Sequence, residues 1–374
     1  MIILLWFLAG AWVLGALFAF INFLLLPNLP EKRMTGALPS MTVVIPARNE
    51  EEAIEEAISA HCSQDYPGLK VIVVDDGSTD GTPRILASLA ARHHNLAIVR
   101  CPEPPPGWLG KTHALHCGLL EVAADLVLFV DADVLYAQGA HARCAALMSA
   151  DDLDMLALIP HQTGGGMALL MVSLLDAILL YGMPSFLYNV PMFKKVALGA
   201  GAGNLVRRKA FLATGGFEAL RGQVVDDITL GQRMKALAGR YRLVLARDAV
   251  SVRMYGTLRH AIEGFSKNMY AFLGFNPLRA LLGFLAGGLL HLAPPALLLA
   301  APWLSPRLLM PAIIATGTEL SLDAAMCLWA RYPLWFAPLY PLRAIFWNAT
   351  LVLSAWRYYR RGVVWRGRTY GKGP

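Results

Sequence analysis

Three pairs of aspartates stand where short apolar runs of the sequence end, and their carboxylates are the groups best suited to chemistry. They are Asp75 and Asp76 in VVDDGSTDGT, Asp131 and Asp133 in LFVDADV, and Asp226 and Asp227 in VVDDITL. Each pair alone has a simpler explanation, because turns favour aspartate, strand ends expose it to water and helices use it as a cap. Three acidic clusters in this order indicate one site.

The middle pair, Asp131 and Asp133, has the spacing of a metal site. On an extended strand, residues two apart point to the same face. Two carboxylates on one face repel each other unless a cation lies between them and an anionic ligand. Mg²⁺ or Mn²⁺ together with a diphosphate meets this requirement, so the pair predicts a cation site for a diphosphate ligand.

The stretch PPGWLGKTHAL ends like a phosphate-binding P-loop but lacks its glycine, because Pro105 stands at that position. Prolines 104–106 have no backbone N–H to offer a phosphate, which argues against a nucleotide hydrolase. Lys111 can instead neutralise a diphosphate, and Trp108 can pack on a sugar or at a membrane interface. A rigid surface loop with a solvated lysine is the alternative.

The elements that must position these residues alternate along residues 37–275. The runs MTVVIPA, KVIVVDD, LAIVRC and DLVLFVDADV are predicted strands, and helical patterns such as RILASLAARH and THALHCGLLEVAA separate them. This alternation predicts βαβ units and a mostly parallel sheet. In such α/β folds ligands bind beyond the carboxyl ends of the strands, where the aspartates stand.

The N-terminal residues 1–30 are predicted to be a membrane anchor. Residues 1–26 carry no charge and are long enough to cross a bilayer. A signal peptide would have a positive start and a shorter apolar core. Lys32 and Arg33 follow at once, which places this end of the span in the cytoplasm.

A second membrane region is predicted over residues 278–357, with two or three spans, and a basic tail over 358–374 follows it. Apolar stretches cover about 280–302, 308–330 and 333–356. Their charged residues are either functional or structural: Glu319, Asp323 and Arg343. A further apolar stretch, 168–190, predicts either an amphipathic helix at the membrane or a core helix.

Overall composition agrees with a membrane protein: 56% of the 374 residues are hydrophobic and 16% are charged. The net charge of +7 suits an anionic membrane surface, and no nucleic-acid-binding motif is present in the sequence. The five cysteines show no CxxC spacing. We therefore expect reduced thiols, with neither a disulfide framework nor a zinc site.

Several segments together resemble the family-2 glycosyltransferases over about residues 40–270: VVIPARNEE, VVDDGSTDGT, LFVDADV, GAGNLVRRKAFLATGGF and VVDDITL. The resemblance implies an α/β GT-A fold, a UDP- or GDP-type sugar donor, Mg²⁺ or Mn²⁺, and transfer with inversion. PPGWLGKTHAL, SVRMY and EGFSKN resemble a membrane-bound subgroup that glycosylates lipids such as carotenoids, hopanoids and ceramides. It implies a multi-pass protein of the cell (inner) membrane with a cytoplasmic catalytic domain.

The resemblance also implies roles for the nucleotide site. Pro46, Ala47 and Glu50 would line the nucleotide pocket. Asp76, with or without Asp75, would contact the base and ribose.

The resemblance implies a metal site and a base as well. Asp131 would lie near the ribose and phosphate, and Asp133, together with Asp131, would hold the metal. Asp227 would be the general base, as the second acid of the family's Glu-Asp pair. Asp226 stands in the place of the family's glutamate, which leaves open which of the two is the base.

Three further residues are weaker candidates for acceptor or phosphate contacts: Asn204, Arg253 and Lys267. The motif Q-x-x-R-W of processive family members is absent from the sequence, which favours transfer of a single sugar. A polyprenyl-phosphate sugar synthase or a polysaccharide synthase is the alternative enzyme. A non-catalytic membrane subunit that binds nucleotide sugars is the alternative outside the enzymes.

Overall fold

A computed structural model describes residues 2–31, 38–361, 363–365 and 368–370. Lys32 and Arg33, on which the predicted orientation of the first helix depends, lie outside the described residues, as does part of the basic tail. The chain divides into two compact units. The sheet unit comprises Leu26–Thr163 and Leu187–Arg253, and the helical unit comprises Met1–Leu25, Gly164–Phe186 and Met254–Pro374.

Strands and helices alternate through the first half of the chain, as predicted. The strands are β1 (Met41–Ala47), β2 (Lys70–Asp75), β3 (Leu96–Arg100), β4 (Leu126–Phe129), β5 (Val134–Tyr136), β6 (Met155–Ile159), β7 (His161–Gln162), β8 (Asn204–Arg207), β9 (Tyr241–Leu245), β10 (Val250–Val252), β11 (Val363–Trp365) and β12 (Arg368–Tyr370). The helices are α1 (Ile2–Leu25), α2 (Ile54–Cys62), α3 (Thr82–Arg92), α4 (Gly110–Leu120), α5 (Ala140–Ala150), α6 (Gly166–Ala177), α7 (Arg208–Ala213), α8 (Asp226–Leu237), α9 (Leu258–Phe272), α10 (Pro277–His291), α11 (Ala293–Leu304), α12 (Leu309–Ala330) and α13 (Tyr340–Arg361).

The sheet unit is built on seven strands in the order β3-β2-β1-β4-β8-β6-β9. Neighbouring strands are parallel except where β8 joins β4 and β6. The apolar runs that predict the strands form the buried centre of this sheet, because both faces are covered. A smaller sheet, β5-β10-β7, stands beside it in the same unit. The mostly parallel α/β sheet is confirmed.

Helix α4 packs closely on the sheet at one glycine. A Cβ on Gly118 would lie 2.5 Å from Cγ1 of Val44 and 2.9 Å from Cγ2 of Val74. The absence of a side chain therefore lets the helix approach β1 and β2. This approach fixes the height at which the N-terminal turn of α4 stands over the carboxyl ends of the strands.

One strand prediction is wrong. DLVLFVDADV was predicted as a single strand, but β4 ends at Phe129, and Ala132 and Asp133 form a turn before β5. The chain turns because the backbone N–H of Asp131 bonds to the carbonyl of Gly201, at 2.8 Å. Asp131 and Asp133 therefore do not lie on one strand, and the predicted shared strand face is wrong.

In the helical unit, two of the described helices are long and apolar enough to cross a membrane, Ile2–Leu25 and Pro306–Ala330. The predicted stretch 280–302 forms α10 and α11, bent by 48° where they meet. The predicted stretch 333–356 forms a short helical turn and the less apolar α13, which is not among the candidate spans. The stretch 168–190 begins with α6, whose residues are mostly buried, as expected for a core helix.

A polar residue of the N-terminal helix, Asn22, is fully buried in the helical unit. Its Nδ2 donates to the carbonyls of Leu180 at 2.9 Å and Met183 at 2.7 Å, and its Oδ1 accepts from the N–H of Phe186 at 2.9 Å. These groups follow α6, where the chain makes one π-helical turn over Ile178–Gly182. Asn22 therefore satisfies backbone groups that a broken helix leaves without intrahelical partners.

The charged residues predicted within the apolar tail are buried and paired inside the helical unit. Arg343 donates to both oxygens of Asp323, at 2.7 and 3.0 Å, and to the hydroxyl of Tyr181 at 3.1 Å. One turn of α12 before Asp323, Glu319 lies 2.5 Å from Nδ1 of His291. These contacts join α12 to α10, α13 and the π-helical turn.

Candidate functional site

Four charged groups converge beyond the carboxyl ends of the strands in the sheet unit, and Lys111 is at their centre. Its Nζ lies 2.8 Å from Asp131 Oδ1, 3.4 Å from Asp227 Oδ2 and 3.6 Å from Asp226 Oδ2. The three aspartates come from the turn after β4 and from the first turn of α8, so residues far apart in sequence meet at one point. The structure thus unites three sequence candidates with a fourth, Lys111.

The charges of this cluster depend on one another. Burial alone would lower the pKa of Lys111, but Asp131, Asp226 and Asp227 raise it well above its usual range, so the ammonium stays charged. Helix α4 begins at Gly110, so this cation stands in a first turn, where the helix dipole disfavours positive charge. The facing carboxylates offset that cost. The alternative of a solvated lysine on a loop is wrong.

Asp227 is held at both carboxylate oxygens. Its Oδ1 accepts from Nδ2 of Asn204 at 3.2 Å, and its Oδ2 faces Lys111. Burial, and then the neighbouring charge of Asp226, raise the pKa of Asp227 to about 7, although Lys111 draws it down. A carboxylate that changes charge near neutral pH is suited to take up a proton during a reaction.

Asp226 differs from its neighbour in exposure. Its side chain is 11% exposed, against 26% for that of Asp227. Asp227 is therefore the more accessible of the two carboxylates.

The glycines of GAGAGN lie against this cluster. A Cβ on Gly201 would collide with the carboxylate of Asp131, and one on Gly199 would collide with the backbone carbonyl of Asp227. A Cβ on Gly203 would meet the hydroxyl of Tyr136, which donates to the carbonyl of Ala202 at 2.8 Å. Gly199 and Gly201 therefore let the backbone pass close to Asp227 and Asp131, and Gly203 leaves room for the hydroxyl of Tyr136.

Two buried histidines, which are not among the candidates predicted from the sequence, pack against Tyr136. His61 and His141 are fully buried, and Nδ1 of His61 lies 3.2 Å from Nε2 of His141. Both rings pack on Tyr136, with centroids 4.7 and 5.0 Å away. Burial lowers the pKa of His61 to about 3, so the pair is neutral and serves to position Tyr136. Separated by 80 residues, they carry no sequence signal.

The loops after β1 and β2 are tied to each other. Arg48 donates from Nη1 to the carbonyl of Asp76 at 2.6 Å, and the N–H of Asp76 donates to the carbonyl of Ala47 at 2.9 Å. Asp75 accepts from the N–H of Ser78 at 2.9 Å and so shapes its own turn. Of the two, Asp75 has this structural role, while Asp76 stands at the junction of the loops.

The remaining predicted nucleotide contacts flank the same junction. Pro46 is half-buried at the end of β1, next to Ala47. The backbone of Glu50 begins the turn into α2, since its carbonyl accepts from Ile54 and its N–H donates to Thr82. The structure therefore brings these residues to one edge, beside Asp76.

The last predicted residues lie in separate places. Asp133 is in the turn before β5. Trp108 packs on the imidazoles of His113 and His116, with centroids 5.5 and 5.0 Å away. Arg253 is exposed at the end of the sheet unit, and Lys267 belongs to α9 of the helical unit.

The expectation that the cysteines are all reduced thiols is wrong for one pair. Cys101 and Cys117 are in disulfide contact, with Cα atoms 6.2 Å apart. Cys101 follows β3 and Cys117 lies on α4, so the crossover from strand to helix brings them together without a CxxC spacing.

Asp131 is the carboxylate of this cluster that is suited to ligate a divalent cation. Asp131, Asp226 and Asp227 already gather around one positive charge, the ammonium of Lys111. Hard cations such as Mg²⁺ and Mn²⁺ prefer oxygen ligands of this kind. Asp131, whose side chain is 38% exposed, is the member open to an incoming cation.

Comparison with known proteins identifies a family and relatives for this chain. Residues 42–214 match the profile of glycosyl transferase family 2. The chain is 24% identical over 364 residues to a 4,4'-diaponeurosporenoate glycosyltransferase of Staphylococcus aureus (strain USA300), covering 92% of this chain and 91% of the relative. The protein of that name from strain bovine RF122 / ET3-1 is 36% identical over 110 residues, which cover 29% of this chain and 28% of that one.

A solved structure shares the fold. The mannosyltransferase PcManGT from Pyrobaculum calidifontis, in complex with GDP-Man and Mn²⁺, superposes with a TM-score of 0.55 at 21% identity. The match covers 95% of this chain and 99% of that one. The chain therefore contains a glycosyl transferase family 2 domain over residues 42–214, has a GT-A fold, and is similar to the diaponeurosporenoate glycosyltransferases.

Proposed function

We propose that this enzyme transfers one hexose, with inversion, from a UDP- or GDP-type sugar donor to a lipid acceptor in the membrane. The observation that carries the proposal is the position of Asp227, oriented by Asn204 and Lys111 beside Asp131. Relatives support the substrate classes: one is named for a long apolar acceptor, and another was solved with a nucleotide sugar.

Asp227 acts as general base in this proposal. An inverting transfer needs one carboxylate to accept the proton of the acceptor hydroxyl while its oxygen attacks the anomeric carbon. The raised pKa of Asp227 makes it a stronger base than a solvated aspartate, and Nδ2 of Asn204 directs its second oxygen. Asp226 is the less exposed neighbour that raises this pKa.

Asp131 and Asp133 would hold Mg²⁺ or Mn²⁺, and the bound cation would offset the charge that develops on the leaving diphosphate. Lys111 supplies a second positive charge on the same side of the site. Asp76, Pro46, Ala47 and Glu50 lie at the edge where the nucleoside would bind. Removal of divalent cations with EDTA should abolish transfer, and added Mn²⁺ or Mg²⁺ should restore it.

The name of the Staphylococcus relative favours a second acceptor group. Diaponeurosporenoate is the anion of a carboxylic acid, so the sugar would be joined to a carboxylate rather than to a hydroxyl. A carboxylate is already ionised at neutral pH and needs no general base. The two acceptors therefore predict different results for Asp227→Asn.

Membrane location follows from the same proposal. Ile2–Leu25, Pro306–Ala330 and the bent pair α10–α11 supply up to three spans in the described chain. We propose a multi-pass protein of the inner membrane with its sheet unit in the cytoplasm, where nucleotide sugars are made. Protease accessibility of the sheet unit in inverted and right-side-out vesicles tests this orientation.

The function is tested with detergent-purified enzyme, Mn²⁺ or Mg²⁺, a panel of radiolabelled nucleotide sugars and a lipid extract. Label should enter the organic phase as a product with one sugar. For a hydroxyl acceptor, Asp227→Asn should reduce the rate by about 10²–10⁴-fold while donor binding, measured by calorimetry, is retained. Asp226→Asn is the matched control and should retain more activity.

Product chemistry separates the alternatives. Label that mild alkali releases is a sugar ester of a carboxylate, and survival of activity in Asp227→Asn would accompany it. A ladder of products would indicate a polysaccharide synthase, and acid-labile label on a phosphate would indicate a polyprenyl-phosphate sugar synthase. Donor binding without transfer to any lipid would contradict the proposal and favour a binding subunit.

A further inference from the structure

Three soft ligand groups meet at the base of α4, outside the carboxylate cluster. Nδ1 of His113 lies 3.3 Å from Sγ of Cys101, and Nε2 of the same ring lies 3.9 Å from Sγ of Cys117. All three ligand atoms fall within 4.8 Å of one another. The imidazole of His113 thus contacts both sulfurs, an arrangement that a disulfide alone does not require.

The elements that carry these groups keep them together. His113 and Cys117 are four residues apart on α4 and so share one helix face, while Cys101 follows β3 directly. His113 is buried, and the two cysteines are half-buried. Packing of Trp108 on the His113 ring holds the imidazole in place.

We propose that, when the thiols are reduced, Cys101, His113 and Cys117 bind a thiophilic divalent cation of the Zn²⁺ class. Tetrahedral zinc with ordinary Zn–S and Zn–N distances places sulfur and nitrogen ligands about 3.5 Å apart. One imidazole nitrogen would ligate the ion: Nδ1, at 3.3 Å from Sγ of Cys101, is already near this separation, and one ligand atom from each of the three residues lies within 4.8 Å of the other two. The sulfurs must separate by side-chain rotation, which their half-buried positions allow.

The binding step is balanced in atoms and in charge. Two neutral thiols lose two protons as the cation binds, one imidazole nitrogen donates its lone pair, and the fourth position is left for water. No electron is transferred. Oxidation of the pair to a disulfide removes both thiolate ligands, so metal binding and the disulfide exclude each other.

The site is separate from the carboxylates in its chemistry. Mg²⁺ and Mn²⁺ prefer oxygen ligands, whereas thiolate and imidazole select zinc-like ions. It is nevertheless connected to them through α4, since Lys111 lies two residues before His113 on that helix. A cation bound here would fasten the first turns of α4, and with it Lys111, to the end of β3.

The test uses full-length protein in detergent, reduced and desalted under anaerobic conditions, with Zn²⁺ and Co²⁺ as the probes. We expect one zinc per chain by elemental analysis and a cobalt–thiolate charge-transfer band in the near ultraviolet. Cys101→Ser, Cys117→Ser and His113→Ala should each weaken binding by at least about 100-fold. Cys144→Ser changes a buried free cysteine of the same unit and is the matched control, with unchanged binding.

Peptide mapping gives a second measurement that needs no variant. Zn²⁺ should protect Cys101 and Cys117 from alkylation in the reduced wild type.

Asp131→Asn should leave the cobalt–thiolate band unchanged, which would show that the band does not come from the carboxylates. Reduced protein that binds no Zn²⁺ and shows no such band would overturn the proposal and leave a structural disulfide. These readouts do not depend on glycosyl transfer.

Discussion

The pH dependence of the proposed transfer follows directly from the surroundings of Asp227. Its pKa is raised to about 7 by burial and by the charge of Asp226. A general base must be ionised to accept a proton, so the rate should rise with pH. With a pKa of about 7, the ionised fraction is roughly 9% at pH 6 and roughly 91% at pH 8, a gain of about tenfold.

Two substitutions should move this profile in opposite directions. Lys111 lowers the pKa of Asp227 from 3.4 Å, so Lys111→Met should shift the rise in residual activity to higher pH by about 1–3 units. Asp226 raises the same pKa, so Asp226→Asn should shift the rise to lower pH. Opposite shifts from two neighbours of one carboxylate would identify that carboxylate as the titrating group.

The assay is kcat/KM for the sugar donor between about pH 4.5 and 10.5, because this ratio reports ionisation in the free enzyme and the range covers the shifts expected in both variants. A constant, saturating concentration of Mg²⁺ and a fixed lipid acceptor keep other variables unchanged. Donor binding by calorimetry over the same range separates chemistry from affinity. A flat wild-type profile between pH 6 and 8, or an unchanged rise in Asp227→Asn, would refute the assignment of Asp227 as the base.

Three further substitutions test the packing around the site and in the helical unit. Asp227→Asn should raise the melting temperature above pH 7 but leave it unchanged below pH 4. The raised carboxyl pKa stabilises the fold at low pH, and this stabilisation is lost as pH rises from 3.8 to about 7. Equal melting temperatures of wild type and variant at pH 8 would contradict the prediction. Gly201→Ala should displace the Asp131 carboxylate, cost about 1–3 kcal/mol of stability and reduce activity, as measured by thermal unfolding and transfer rate. Arg343→Met should cost about 3–5 kcal/mol because it leaves the buried Asp323 without a charged partner, and adding Asp323→Leu should recover most of the loss in the same unfolding assay.

Much of the sheet unit was predictable because its strands are short apolar runs bounded by turn residues. MTVVIPA became β1 over its whole length, and the aspartates of VVDDG stand at the carboxyl end of β2 as expected. The turn after Phe129 was not predictable, since it depends on a backbone hydrogen bond from Asp131 to Gly201, seventy residues away. Local pattern does not contain such long-range contacts.

The site was predictable in its residue types but not in its arrangement. The helix that is predicted to begin at Thr112 begins at Gly110. Lys111 therefore lies on α4 and contacts the carboxylates, instead of lying on a loop. The pairing of Cys101 with Cys117 depends on the crossover from β3 to α4, which their spacing does not indicate.

The hydrogen bonds of Asn22 have a consequence for handling the protein. A common route to a soluble enzyme is to delete the N-terminal span, on the view that it is only a tether. Here the deletion would also remove the side chain that satisfies the carbonyls of Leu180 and Met183 and the N–H of Phe186. A shortened version should therefore lose order in Ile178–Phe186, and a foreign anchor without an amide at this position should not replace α1.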